Sequence, residues 1–262
     1  MDNAYLLSFL TQKNIPTITR KHHTYLTYYG LEQQYTYVLK EGVIKTSIIL
    51  KDGREFNLAY LQGPDIISLL RDEVSSYTSA PFNVRIETEE ASFFKIPRVE
   101  FWNYVNQDKR LQDYVKEYYR FKLGESLRQQ QMMIMNGKTG AVCAFLCTLV
   151  KQFGKQQENG WLIDFPITNE DIAGFCGIST RNSVNRILHR LKEDGIIDLH
   201  DQRIFAADAA GGNQFLHRQA MTLLVFLDHP HAKGRGLQQR PVDMLRTGTQ
   251  CQTKQAAGQL RV

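Results

Sequence analysis

The chain lacks most of the features that announce a secreted scaffold, a membrane protein or a common enzyme. Its 262 residues hold four cysteines, Cys143, Cys147, Cys176 and Cys251, and no CxxC pair. A disulfide framework is therefore not expected, and a reducing cytoplasm is. No P-loop, GxSxG, HExxH or dinucleotide fingerprint occurs, so the usual phosphate cradles, nucleophile elbows and zinc helices are missing. The cleanest apolar run, residues 141 to 150, is ten residues long, too short to span a bilayer. No basic region precedes an apolar core near the first residue, so a secretory signal is not expected either.

The remaining candidate chemistry is thin. Cys143 and Cys147 lie four apart on an expected helix, but Val142, Phe145 and Leu146 around them favour buried thiols over a metal site. His22-His23 and His229-Pro230-His231 have no further spaced ligands. Glu87, Glu89 and Glu90 read as solvated charge at a strand end. Nothing here makes an enzyme, and a cupin-like one would need clustered His and Glu ligands that the strand region lacks.

The formal net charge is +5, but residues 205 to 262 hold seven basic against three acidic side chains and supply about four of those charges. Global charge is therefore weak evidence for nucleic acid. Local charge is stronger: from Arg181 through Arg190 there are three arginines and no acid.

Residues 166 to 204 carry the most information. Thr168 before Asn169-Glu170-Asp171 predicts an N-cap with acids in the first turn, where they suit the helix dipole. Ile172, Ala173, Phe175 and Cys176 supply a buried stripe. Gly177 is placed for a left-handed turn, and Ser179 or Thr180 for the cap of a second helix. That helix has Val184, Ile187, Leu188 and Leu191 on one face. Its other face carries Arg181, Asn182, Ser183, Asn185, Arg186, His189 and Arg190. Arg and Asn each make two hydrogen bonds to a base edge, and Arg181, Asn182, Asn185 and Arg186 stand near the helix N-terminus, where major-groove reading requires them. Gly195 ends the helix. Two β-prone runs around His200-Asp201-Gln202-Arg203 read as a wing. The alternative is a helical hairpin with a solvated polar face.

Upstream the pattern changes. Residues 1 to 14 predict an amphipathic helix with Tyr5, Leu6, Phe9 and Leu10 on one face. Residues 15 to 97 read as about eight short strands of a barrel or jelly roll, with Asp52-Gly53 as a hairpin turn. Residues 98 to 135 contain no proline and only Gly124. Leu111, Tyr114, Tyr118, Phe121, Met132 and Met135 approach a 3-4 spacing, compatible with one long helix bearing a coiled-coil-like seam that Glu125 and Arg128 interrupt. An ordinary helix on its own core is the alternative. Asn136-Gly137 marks a hinge, residues 139 to 153 a buried helix, residues 155 to 159 a polar loop and residues 161 to 165 a strand. Residues 206 to 262 differ in kind, with no tyrosine, tryptophan or glutamate, and read as a disordered or loosely packed tail, with a frame-altered stretch never selected to fold as the alternative. The expected organisation is α+β: a sensor roll over residues 1–100, a dimerisation helix over 101–136, a winged helix-turn-helix over 137–205, and the tail.

A roll, a long helix and a winged helix-turn-helix in that order resemble the cyclic-AMP receptor protein/FNR family of bacterial transcription factors. The resemblance rests on Val38-Leu39-Lys40-Glu41-Gly42-Val43-Ile44-Lys45, Lys51-Asp52-Gly53-Arg54-Glu55, Ile167-Thr168 through Ala173, Gly177-Ile178-Ser179 and Ser183-Val184-Asn185-Arg186-Ile187-Leu188. It covers residues 1 to 205. Asn57-Leu58-Ala59-Tyr60 and Asn136-Gly137-Lys138-Thr139-Gly140 resemble the PrfA-like branch of Gram-positive bacteria. The resemblance implies a cytoplasmic homodimer on a pseudo-palindromic DNA site, with RNA polymerase as a further partner. It points to activation, although no residue separates activation from repression.

Within that resemblance Arg181, Asn182 and Arg186 fall at base-reading positions. Many relatives have glutamate where this chain has Asn182; glutamate accepts from cytosine, whereas asparagine prefers adenine. Lys138, Ser179, Thr180, Arg190 and Lys192 are the expected phosphate contacts, which add affinity without sequence information. Relatives that bind cyclic AMP hold its phosphate with a glutamate and an Arg-Ser pair. Here Leu70-Arg71-Asp72-Glu73 and Thr78 to Asn83 offer no such pair, and Asp72-Glu73 repel a phosphate. Iron–sulfur relatives use clustered cysteines near the N-terminus, where this chain has none. Neither cofactor is expected. PrfA-like relatives respond to glutathione between the two domains, which implies a small thiol or peptide effector near Tyr60, Leu61 and Gln62, although the aromatic C-terminal wall of that site has no counterpart. A rival reading, in which the roll senses a ligand and the C-terminal helices dock a protein partner, is separated from the first by Arg186→Ala.

Overall fold

The computed structural model describes residues 2–67, 78–135, 137–200 and 203–207. After helix α1 (Asn3–Gln12), ten strands make the roll. One sheet has the antiparallel order β1 (Thr17–Lys21), β10 (Glu90–Pro97), β4 (Tyr35–Glu41) and β7 (Asp65–Ile66). The other runs β2 (Tyr25–Thr27), β9 (Asn83–Ile86), β5 (Val43–Ile49) and β6 (Glu55–Gln62). A short ladder joins β3 (Glu32–Gln33) to β8 (Thr78–Ser79). The Asp52-Gly53 turn joins β5 to β6 as expected, with Gly53 at φ +81 and its amide donating to the Leu50 carbonyl at 2.9 Å.

Strand alternation divides the apolar residues between two cores. Leu39, Ala91 and Phe93 of the first sheet face Ile44, Val84 and Ile86 of the second. Their neighbours Val38, Phe94 and Ile96 point the other way, onto Leu6, Leu10, Phe101, Trp102 and Leu111 of the helices. The amphipathic helix expected over residues 1 to 14 is thus α1, which buries Leu6 and Leu10.

The single helix expected over residues 98 to 135 is two. α2 (Arg98–Gln107) and α3 (Lys109–Met135) are parted at Asp108, whose backbone is extended. Its carboxylate accepts from the Arg110 and Leu111 amides at 2.8 and 3.0 Å, so an aspartate capping α3 does what no glycine or proline was there to do. The proposed seam also divides. Leu111, Tyr114 and Tyr118 are buried against the chain's own roll, where Tyr118 donates to the Ile66 carbonyl at 3.0 Å. The apolar residues that α3 leaves exposed are Tyr119, Phe121, Leu123 and Leu127. The side chains of Met132 and Met135 lie outside the described residues.

Beyond Gly137 (φ +58) come α4 (Gly137–Phe153), β11 (Gly154–Gln157), β12 (Gly160–Ile163), α5 (Asn169–Cys176), α6 (Arg181–Glu193), β13 (Ile197–His200) and β14 (Arg203–Ala207). The polar loop expected at 155 to 159 is mostly strand β11, paired with β12. Its side chains are largely exposed, so polarity concealed an edge strand. β14 extends two residues into the stretch assigned to the tail, with Ala206 opposite Trp161. The rest of that tail, and the Leu70 to Glu73 segment used to argue against cyclic AMP, lie outside the described residues.

Candidate nucleic-acid interface

Local chemistry builds the helix-turn-helix as its sequence suggests. The Thr168 hydroxyl caps α5 by accepting from the Asp171 amide at 3.0 Å. Gly177 takes the left-handed conformation at φ +62. Of the two candidate caps for α6, Thr180 is the one used, accepting from the Ser183 amide at 3.3 Å. Val184, Leu188 and Leu191 enter a core shared with Val142, Leu146, Ile172 and Ile197. Leu188→Ala is expected to destabilise this domain by about 2–5 kcal/mol, read as a lower Tm by circular dichroism.

The opposite face of α6 is open. Arg181, Asn182, Asn185, Arg186 and Arg190 are all exposed. Arg181 leans back to Glu170 of α5 at 3.3 Å, a pair exposed on both sides and therefore easily exchanged for a better partner. The side chains of Asn182, Asn185, Arg186 and Arg190 make no hydrogen bond or ion pair with another described residue. Ser179 and Thr180 are exposed at the turn before them. Lys192 is engaged: its ammonium lies 2.8 Å from Asp198 of the wing. Lys138 is exposed in the first turn of α4, on a different helix.

A model of the Crp-like helix-turn-helix domain matches residues 140–211. The lactate racemization regulatory protein of Lactiplantibacillus plantarum is 57% identical over 209 residues, 80% of this chain and 95% of the relative. The chain belongs to the cyclic-AMP receptor protein/FNR family. The anaerobic regulatory protein of Bacillus subtilis is 26% identical, over 68% of this chain and 74% of that one. The listeriolysin regulatory protein of Listeria monocytogenes is also 26% identical, over 63% and 70%. Among solved structures, FixK2 from Bradyrhizobium japonicum superposes with a TM-score of 0.64 at 16% identity, covering 78% of this chain and 96% of that one. That likeness is one of fold. This member of the family is accordingly a transcription regulator with a DNA-binding helix-turn-helix, not an enzyme. Among the described residues no helix is long and apolar enough to cross a membrane.

Among the described residues, Cys143 and Cys176 are buried and Cys147 is half-buried. Burial, then the neighbouring thiol, pushes Cys143 up to about 11 and Cys176 up to about 12. Burial raises Cys147 as well, against the opposing pull of Lys151. Such thiols stay protonated and poorly reactive.

A cavity of about 220 Å³ lies where β6, α3, α4 and α5 meet, with Tyr60, Gln129, Phe145, Lys151, Gln152 and Phe175 among its walls. Of the three residues assigned to an effector, only Tyr60 lines it. Leu61 packs into the roll core, because successive residues of a strand face opposite sides. Gln62 is exposed at the strand end. The tyrosine has an aromatic wall of a different kind, made by Phe153, Phe165 and Phe175 with ring centroids 6.1, 5.2 and 4.8 Å away.

Sequence reasoning missed a buried polar cluster between the roll and α5. Lys45 of β5, 1% exposed, donates to Asp171 at 2.7 Å and to Glu55 at 3.0 Å. Arg85 of β9 stands 3.9 Å from the same Asp171 oxygen, held by Glu87 at 2.7 Å. Glu87, expected to be solvated, is therefore a half-buried partner. Burial alone would raise Asp171, but the Lys45 hydrogen bond and charge, the Thr168 hydroxyl and Arg85 outweigh it and hold the carboxyl below its usual range. The signals available were a lysine inside an otherwise buried strand and Gly174 inside a helix.

Proposed function

We propose that this regulator acts as a homodimer on a pseudo-palindromic DNA site, without cyclic AMP, and that it controls genes of lactate racemisation. The gene assignment rests on the L. plantarum relative at 57% identity. The observation that carries the DNA reading is the α6 face, where Asn182, Asn185 and Arg186 are exposed and unpaired beside Arg181. Side chains already satisfied by the protein would have to break those bonds to reach a base; these have none to break. Arg186 is assigned a guanine and Asn182 an adenine, by their bidentate geometry. Ser179, Thr180 and Arg190 flank the face as phosphate contacts. Lys192 reaches a phosphate only by leaving Asp198, and Lys138 contributes from α4 where the duplex curves toward it.

The exposed apolar residues of α3, Tyr119, Leu123 and Leu127, recur every four positions, the spacing of one helix face. A second α3 covers them in the dimer, and the two reading helices then meet successive major grooves about 34 Å apart. The cavity at Tyr60 is the place for a small thiol or peptide effector. RNA polymerase is the further partner of the bound dimer.

The test is selection of bound duplexes from a random DNA pool, without added ligand, with Arg186→Ala in parallel. One palindromic motif recovered by the wild type alone is the expected result. A motif with a single half-site would refute the dimer. Affinity for the selected site is expected to fall steeply with salt; six to ten phosphate contacts correspond to a loss of roughly 10³–10⁵ between 50 and 200 mM. A titration series by fluorescence anisotropy measures the slope, and a flat one would remove the phosphate contacts from the reading.

A further inference from the structure

We infer that the Lys45–Asp171 cluster is a latch that positions the reading helix, by clamping the helix-turn-helix to the roll in the orientation competent for DNA. Three contacts converge on α5. The first is ionic: Lys45, fully enclosed, bridges Glu55 of β6 and Asp171 in the first turn of α5. The second is a neutral hydrogen bond, in which the Asn57 side-chain amide donates to the Asp171 backbone carbonyl at 3.2 Å. The third is a close approach. A Cβ on Gly174, one turn further along α5, would lie 2.5 Å from the Asn57 amide nitrogen and 3.0 Å from the Glu55 carbonyl oxygen. Only a glycine lets the helix sit that near the strand.

The residues in contact are 114 to 126 positions apart in sequence, so the cluster couples two regions that could otherwise move independently. Buried charge of this kind contributes little net stability compared with apolar packing, but it is highly directional. An apolar contact tolerates sliding, whereas an ammonium held between two carboxylates does not. The clamped side of α5 also leaves the reading face of α6 open, with Arg181, Asn182, Asn185 and Arg186 exposed. The clamped arrangement is therefore compatible with DNA, and its role is to define where each reading helix stands relative to α3.

This inference rests on the dimeric DNA reading. If both reading helices are held rigidly, the second half-site binds as an intramolecular event and only at one spacing. Two variants of the full chain test it: Lys45→Met, which removes the ammonium, and Gly174→Ala, which improves the intrinsic helix propensity of α5 while forcing it off β6. Hydrogen exchange without DNA is the first readout. Amides of residues 55–62 and 169–176 are expected to exchange at least about tenfold faster in both variants, while those of α6 and the wing keep their protection. DNA titrations are the second. Affinity for the full palindrome is expected to fall roughly tenfold or more, sites with one or two base pairs inserted between the half-sites are no longer discriminated against, and an isolated half-site is bound as well as by the wild type.

Unchanged exchange in both variants overturns the latch. Loss of protection throughout α6 and the wing, or equal losses on full and half sites, makes the cluster a structural support of the DNA-binding domain and also overturns it. A wild type with no spacing preference refutes the dimeric reading by itself, and the positioning role with it.

Discussion

Arg186→Ala is expected to abolish specific DNA recognition while leaving the protein folded. The side chain is exposed and makes no hydrogen bond or ion pair with another described residue, so its removal orphans no partner. A bidentate arginine–guanine pair discriminates by about 1–3 kcal/mol, and a two-fold dimer uses it twice. The expected loss is thus about 2–6 kcal/mol, or roughly 30-fold to 10⁴-fold in Kd at the specific site. Affinity for random duplex should change far less, because a single phosphate-directed charge contributes a small part of the non-specific term. Parallel titrations on specific and random duplex at one salt concentration read both numbers. An equal loss on both would make Arg186 a phosphate contact. No loss on either would favour the reading in which these helices dock a protein.

The second large effect is expected on α3. Leu123 and Leu127 are 62% and 57% exposed on a helix whose other face, with Leu111, Tyr114 and Tyr118, is buried in the roll core, so a second apolar face is left open. Burying a leucine contributes about 1.5–3 kcal/mol, and in the proposed dimer each position enters the seam from both copies. Leu127→Glu removes that contribution twice and brings two like charges together. Dimerisation is expected to weaken by roughly 10²- to 10⁴-fold or more, with a monomeric sedimentation coefficient at micromolar concentration. Full-site binding should fall with it, and the circular dichroism spectrum should not change. A variant that sediments as a dimer would move the seam elsewhere on the molecule.

The two predictions draw on different kinds of legibility. The reading helix is legible in the sequence because its signals are local. Thr168 and Thr180 cap helices a few residues away, Gly177 takes a positive φ, and Val184, Leu188 and Leu191 repeat at helical spacing. The α3 seam is not. Leu111, Tyr114 and Tyr118 show the same periodicity as a dimer face, yet the roll covers them. Periodicity tells which side of a helix is apolar; it does not tell what lies against that side. Asp108 concealed its helix break for a related reason, since aspartate is tolerated inside helices and acts as a cap only when the chain turns there.

From its residues alone the chain specified short β-prone strands of a roll, the Asp52-Gly53 hairpin, a capped helix-turn-helix and the polar face of α6, because each depends on backbone propensity and on contacts within a few turns. Which face of α3 meets solvent, how Tyr60 comes to line a cavity with Phe145 and Phe175, and how Lys45 reaches Asp171 across 126 residues were decided by tertiary packing. A lysine in a strand and an aspartate in a first helical turn are each ordinary beside their own neighbours. Only when β5 and α5 are brought together does burial remove the water from both, and each then needs the other's charge.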